Sequence, residues 1–145
     1  MVKWFTGGRA MNIFQFLTPK SSVAYVEDSS TLRQALEKMR HHGYTALPVI
    51  DNDGRYVGTV NEGDFLWDIV NRNESDLKSQ EKRTVIEILR TDWNPPIDIT
   101  ASPEELLQKV QAQNFLPVID ARGVFVGIIT RGRIIKYFTG TYLTV

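Results

Sequence analysis

The pentapeptide Leu-Pro-Val-Ile-Asp occurs twice, at 47–51 and at 116–120, and the residues that follow each copy stay in register. At a spacing of 69 residues Gly54 matches Gly123, Val57 matches Val126 and Gly58 matches Gly127; farther on, Asn61 falls opposite Thr130, Asp64 opposite Arg133, Phe65 opposite Ile134 and Leu66 opposite Ile135. Upstream the better spacing is 71, which brings Ala35, Leu36 and Met39 onto Leu106, Leu107 and Val110. The second copy is therefore two residues shorter between these two stretches. A repeat of this length means that one supersecondary unit has been built twice.

Periodicity and punctuation give both copies the same order of elements. In the first, Val23–Val26 is short and β-prone, and Ser29, Ser30 and Thr31 offer helix caps ahead of Leu32, Ala35, Leu36 and Met39, which share one helical face. Gly43 is placed to stop that helix. Ala46–Ile50 and Tyr56–Val60 read as strands joined by the turn Asp51-Asn52-Asp53-Gly54, and a helix follows from Glu62 to Val70. In the second copy the short strand is Ile97–Thr100. Ser102-Pro103-Glu104-Glu105 then opens a helix with a cap, a proline at its first position and acids in its first turn. Strands Phe115–Ile119 and Val124–Ile129 and a helix over Arg131–Phe138 complete it. Between the copies runs the polar stretch Asn71–Arg83, followed by Thr84–Arg90, which suits a short helix; Phe14, Phe16 and Leu17 are its counterpart ahead of the first copy. A unit of about 60 residues buries only about 60% of its unfolded surface, which predicts that the two copies share a core.

Composition removes whole classes of function. Seventeen basic side chains balance seventeen acidic ones, and the pI is 6.7. No surplus of Lys and Arg is there to hold nucleic acid or an anionic membrane. The absence of cysteine excludes disulfides, thiolate metal sites and Cys nucleophiles. His41 and His42 point about 100° apart on a helix, with no acidic pair to complete a metal site. No apolar run approaches the roughly 20 residues of a membrane span, and the first ten residues lack the apolar core of a secretory signal. Cytoplasmic localisation is the expectation. Met11 is a candidate alternative start, and Trp4, Phe5 and Trp67 read as core or dimer contacts. No nucleophile elbow, phosphate loop, zinc-protease helix or dinucleotide fingerprint is present, so the expectation is a chain that is not an enzyme.

The paired Leu-Pro-Val-Ile-Asp strands, the Asp-Asn-Asp-Gly and Asp-Ala-Arg-Gly turns, and the junctions Gly58-Thr59-Val60-Asn61-Glu62-Gly63-Asp64 and Gly127-Ile128-Ile129-Thr130-Arg131-Gly132-Arg133 resemble the tandem cystathionine-β-synthase (CBS) domain pair, or Bateman module, over residues 14–138. The resemblance implies an α+β fold of two β-α-β-β-α repeats packed about a pseudo-twofold axis: an extension (1–13), a first repeat (14–72), a linker (73–83), a second repeat (84–140) and a tail (141–145). It also implies a homodimer, and a regulatory sensor that takes AMP, ADP or ATP in clefts between the repeats without a required cofactor. With no effector domain in the chain, such a sensor would act on a separate protein or through a change of oligomer.

A strand that ends in Gly and enters a helix N-terminus presents free N–H groups suited to phosphate. The family pattern puts Ser or Thr at Asn61 and Thr130, touching phosphate or ribose, and Asp at Asp64 and Arg133, accepting from the ribose hydroxyls. This chain splits that pattern. The first copy keeps Asp64 and has Asn61, whose amide both donates and accepts; the second keeps Thr130 and has Arg133, which only donates. Two unequal sites are expected, with Arg131 and Arg133 as candidate phosphate clamps. Each has a plainer reading: Asp64 as a first-turn acid, Asn61 and Thr130 as caps, the arginines as exposed helix residues. By the same resemblance adenine lies on Tyr44, Thr45, Ala46 and Pro48 in the first copy and on Asn114, Phe115, Leu116 and Pro117 in the second, with Ser22, Val23 and Ile97 as companions. Tyr44 and Phe115 equally suit core or interface positions. Two alternatives remain open: a module for dimerisation or protein interaction that binds no ligand, favoured by Asn61 and Arg133, and a sensor of S-adenosylmethionine.

Overall fold

The computed structural model describes residues 5–6, 9–10, 12–72 and 77–143, with side chains over 12–72 and 78–140. Trp4 and the start at Met11 lie outside the described residues, as does the side chain of Phe5. A two-residue hairpin comes first, β1 (Phe5–Thr6) with β2 (Arg9–Ala10). The first copy is β4 (Val26–Glu27), α1 (Leu32–His42), β5 (Ala46–Ile50), β6 (Tyr56–Asn61) and α2 (Glu62–Arg72), preceded by β3 (Thr18–Pro19) and followed by a short α3 (Leu77–Lys82). The second is β7 (Ile97–Asp98), α4 (Pro103–Ala112), β8 (Phe115–Ile119), β9 (Phe125–Thr130) and α5 (Arg131–Leu143).

Local chemistry explains why the copies match. Thr31 caps α1 by accepting from the Gln34 N–H while Gln34 reaches back to the Thr31 N–H; Ser102 caps α4 by accepting from the Glu105 N–H, with Pro103 in the first turn. Gly43 ends α1 in the left-handed conformation. In both hairpin turns one aspartate oxygen accepts two backbone N–H groups, Asp51 from Asp53 and Arg55, Asp120 from Arg122 and Val124. Gly54 and Gly123 supply the positive φ, 80° and 82°, that each turn requires. The strand pairs even share an irregularity, between Val49 and Ile50 and between Val118 and Ile119.

Three expectations change. The leading strands are only two residues long, because each makes just two parallel pairs, Val26 and Glu27 with Val49 and Ile50, Ile97 and Asp98 with Val118 and Ile119. Val23 therefore lies outside the strand. The Thr84–Arg90 stretch is a single 3-10 turn, Val85–Glu87, and its counterpart before the first copy is another, Ile13–Gln15. Finally, the flanking segments change sides: the buried apolar residues form one cluster in each of two compact units, residues 24–94 and residues 1–23 with 95–145. The segment ahead of one copy completes the unit of the other. Val85 joins Val26, Leu47, Val49 and Val60 of the first copy, and Ile13 and Phe16 join Ile97, Leu116, Val118 and Ile129 of the second. That exchange supplies the apolar surface a bare repeat lacks.

Candidate functional site

In both copies the residue pair ahead of the middle strand is tied to the start of the last helix. The Glu62 N–H donates to Thr45 O (3.0 Å) and the Arg131 N–H to Asn114 O (2.9 Å). Strand register adds Ala46 opposite Asn61 and Phe115 opposite Thr130. Tyr44, Thr45 and Ala46 therefore gather beside Asn61, and Asn114 and Phe115 beside Thr130. Tyr44 is 46% exposed and stacks on His42, with ring centroids 5.4 Å apart, so it is no core residue. Pro48, Leu116, Pro117 and Ile97 are buried in their strands, which leaves their backbone groups rather than their side chains for any ligand. Ser22 and Val23 belong to the unit of the second copy.

The first junction is a reciprocal cap. Asn61 Oδ1 accepts from the Asp64 N–H (2.9 Å) and Asp64 Oδ2 accepts from the Asn61 N–H (2.8 Å). The other carboxylate oxygen, Oδ1, accepts from Arg90 Nε (2.8 Å). The Asp64 side chain is only 6% exposed, against 52% for Arg90, whose guanidinium lies over the Trp93 ring, 4.9 Å from its centroid. These groups border a cleft of about 510 Å³ within this unit, walled by Asn61, Gly63, Asp64, Trp67, Asp68 and Asn71 on one side and Ile88 and Arg90 on the other. Trp67 is 66% exposed there, so it is no core residue of this chain. Asp68 is already engaged by Arg72 and Arg83.

A buried polar network pins the segment that carries Arg90. Thr59 Oγ1 meets Tyr56 Oη (2.6 Å) and accepts from Asn94 Nδ2 (3.1 Å), and Tyr56 Oη donates to Asn94 O (2.8 Å). Asn94 adopts φ 55°, a left-handed conformation that Asn tolerates better than most residues. Burial pushes the Tyr56 hydroxyl up to about 12, so it stays protonated and able to donate. At its other end the segment is held by backbone bonds from Val85 and Ile86 to Ser30 O and Asp28 O.

The second junction is built differently. Thr130 Oγ1 caps α5 by accepting from the Arg133 N–H (3.1 Å), and exposed Arg133 donates through Nη1 to Thr18 Oγ1 (3.2 Å). Arg131 is engaged at the end of α4, where Nε donates to Val110 O (3.0 Å) and Nη2 to Gln111 O (3.3 Å). Sequence reasoning missed Arg90, Trp93 and Asn94. Aligning the two flanking segments would have found Arg90, since it stands 72 residues after Thr18 just as Ile88 stands 72 after Phe16. Among the described residues no group of three His, Asp or Glu could hold a metal ion, and no helix is long and apolar enough to cross a membrane.

The CBS domain model matches residues 15–71 and 85–140. The cyclic di-AMP receptor B of Bacillus subtilis is 29% identical over 122 residues, spanning 84% of this chain and 82% of that protein. The chloroplastic CBS domain-containing protein CBSX2 of Arabidopsis thaliana is 28% identical over 144 residues and 83% of this chain, which spans only 60% of that protein's length. Among solved structures, CbpB in complex with c-di-AMP superposes with a TM-score of 0.84 at 26% identity, covering 90% of this chain and 86% of that one. CBSX2 in complex with AMP superposes at 0.72 with 25% identity, over 89% and 96%. Two matched repeats that each close on their own junction make this chain a member of the CBS domain family, with the domain present as a tandem pair.

Proposed function

We propose that the chain is a regulatory sensor of an adenosine nucleotide, with its principal site in the first-copy cleft. The observation that carries this reading is Asp64, a carboxylate held by its own helix cap at the rim of a cleft, where its unused lone pairs suit the two hydroxyls of a ribose. The Asn61 side-chain amide, whose oxygen caps α2, has its nitrogen to offer a phosphate oxygen, and half-exposed Tyr44 offers a ring to a base. The complexes of CBSX2 with AMP and of CbpB with c-di-AMP support an adenosine 5′-phosphate as the shared chemistry. AMP, ADP, ATP and c-di-AMP all carry it.

Occupancy signals only through different affinity for two states. A homodimer is the proposed carrier, supported by the exposed apolar residues Leu66, Trp67 and Val70 on α2 and Ile135 on α5. Calorimetric titration of nucleotide-stripped protein with AMP, ADP, ATP, c-di-AMP and S-adenosylmethionine tests the reading, with sedimentation run on the same samples. Saturable binding that Asp64→Ala weakens by about 1.5–3 kcal/mol supports it. Silence across the panel would refute it in favour of an interaction module without a ligand.

A further inference from the structure

Arg90 uses only one of its three nitrogens. Nε donates to Asp64, and neither terminal nitrogen has a partner among the described residues although both belong to a side chain that is 52% exposed on the cleft wall. The plane of the guanidinium is fixed from two sides, by the Asp64 carboxylate and by the Trp93 ring. The segment behind it is fixed by the Asn94 network. An arginine held in this way presents a pre-oriented fork of donors whose geometry matches two oxygens of a phosphate.

Charge in the cleft makes that fork decisive. Its walls carry two carboxylates, Asp64 and Asp68, and Asp68 is answered outside by Arg72 and Arg83. Among the described residues Arg90 is the one cation on the cleft's walls. Without it, a phosphate entering beside Asp64 would meet an uncompensated negative charge. We infer that Arg90 is the specificity-determining residue of the first-copy site, selecting phosphorylated over unphosphorylated adenosine by taking the phosphate on its terminal nitrogens while Nε holds Asp64 in place. This rests on the adenosine reading above and assigns its charge selection to a residue outside both repeat junctions.

The experiment compares AMP with adenosine on the full chain, read from the indole N–H signals of Trp67 and Trp93, both of which lie in this unit. Trp→Phe variants assign the signals. The wild type is expected to favour AMP by about 10- to 100-fold, the worth of hydrogen bonds between charged groups. Arg90→Gln should bring that ratio to within about threefold; any loss through Asp64 weakens AMP and adenosine alike, so the ratio reads the phosphate contact. Arg90→Lys, which keeps the charge and loses the fork, should fall between, and carries the comparison if the Gln variant does not fold. A ratio unchanged in both variants would overturn the role of Arg90 and leave the adenosine site standing. Failure of both compounds to move the Trp67 and Trp93 signals of the wild type would instead overturn the site itself, and this inference with it.

Discussion

Both repeats dock a flanking segment beside the last strand of a sheet, and they fasten it by different physics. In the second-copy unit the fastening is backbone: Thr18 and Pro19 pair with Ile128 and Gly127 as an added antiparallel strand. In the first-copy unit backbone bonds hold the far end of the segment, at Val85 and Ile86, and beside β6 the fastening is side-chain chemistry. Tyr56 and Thr59 on β6, bonded to each other, hold Asn94 through two hydrogen bonds, and Asp64 holds Arg90 through another. Phe125 and Ile128 stand at the positions of Tyr56 and Thr59 in the second copy, so the polar network has no counterpart there. A ladder fixes backbone and frees side chains. A polar network fixes the side chains, which is why the first copy can hold an arginine in a set orientation over a cleft.

The largest expected effect follows from the ladder's closeness. A Cβ on Gly127 would lie 2.2 Å from Thr18 O and 3.1 Å from Pro19 Cα, backbone atoms that cannot move without breaking the pairing. On Gly58 it would meet Leu89 Cδ1 at 3.0 Å, the end of a side chain that can turn aside, and Arg90 O at 3.2 Å. Gly127→Ala should cost about 3 kcal/mol or more and Gly58→Ala about 1 kcal/mol in urea unfolding. Equal costs would mean that the two segments are docked alike.

The Tyr56 network gives the next effect, and its sign is fixed by burial. In the folded chain the hydroxyl ionises only near 12, against about 10 when unfolded. Between those values the unfolded chain loses its proton first, so stability falls as pH rises through the window, by up to about 3 kcal/mol. Tyr56→Phe should be about 1 kcal/mol less stable than the wild type at pH 8, from the lost hydrogen bonds, and should then lose less between pH 10 and 12. Chemical denaturation at both ends of that window checks it. A wild type and variant that decline in parallel there would remove Tyr56 from the network.

Much of this comparison was legible before any coordinates, and the part that was not has a physical cause. Leu-Pro-Val-Ile-Asp and the Asp-to-Gly turns carry local rules of burial, pairing and positive φ, so strands, turns and caps fell within a few residues of their expected places. Asn61 and Asp64 were readable as a junction because they sit three apart at the start of a helix. Arg90 lies 26 residues from Asp64, and Asn94 lies 35 from Thr59. No local rule links such residues; only the docking of the flanking segment does. The exchange of the flanks between units was illegible for the same reason, being a long-range event that periodicity does not register.

Smaller effects separate the two caps. Asp64→Ala removes a reciprocal cap and an ion pair whose carboxylate is nearly buried, whereas Thr130→Ala removes one accepted hydrogen bond. Losses of about 2 kcal/mol and about 1 kcal/mol are expected by thermal unfolding. The reverse order would assign the stronger junction to the second copy.

Arg133 should matter least to the fold. Its guanidinium is exposed and reaches one hydroxyl, Thr18 Oγ1, on a segment that the β3–β9 ladder already holds. A surface contact of this kind is worth a few tenths of a kcal/mol, so Arg133→Ala should leave unfolding within about 0.5 kcal/mol of the wild type. A larger loss, measured beside Thr18→Val to isolate the shared contact, would mean that the second copy also fastens its flank through side chains. The contrast between the units would then be one of degree. If the small effect holds, Arg133 is free to move at little cost in stability, unlike Arg90, whose guanidinium is set between a nearly buried carboxylate and an indole.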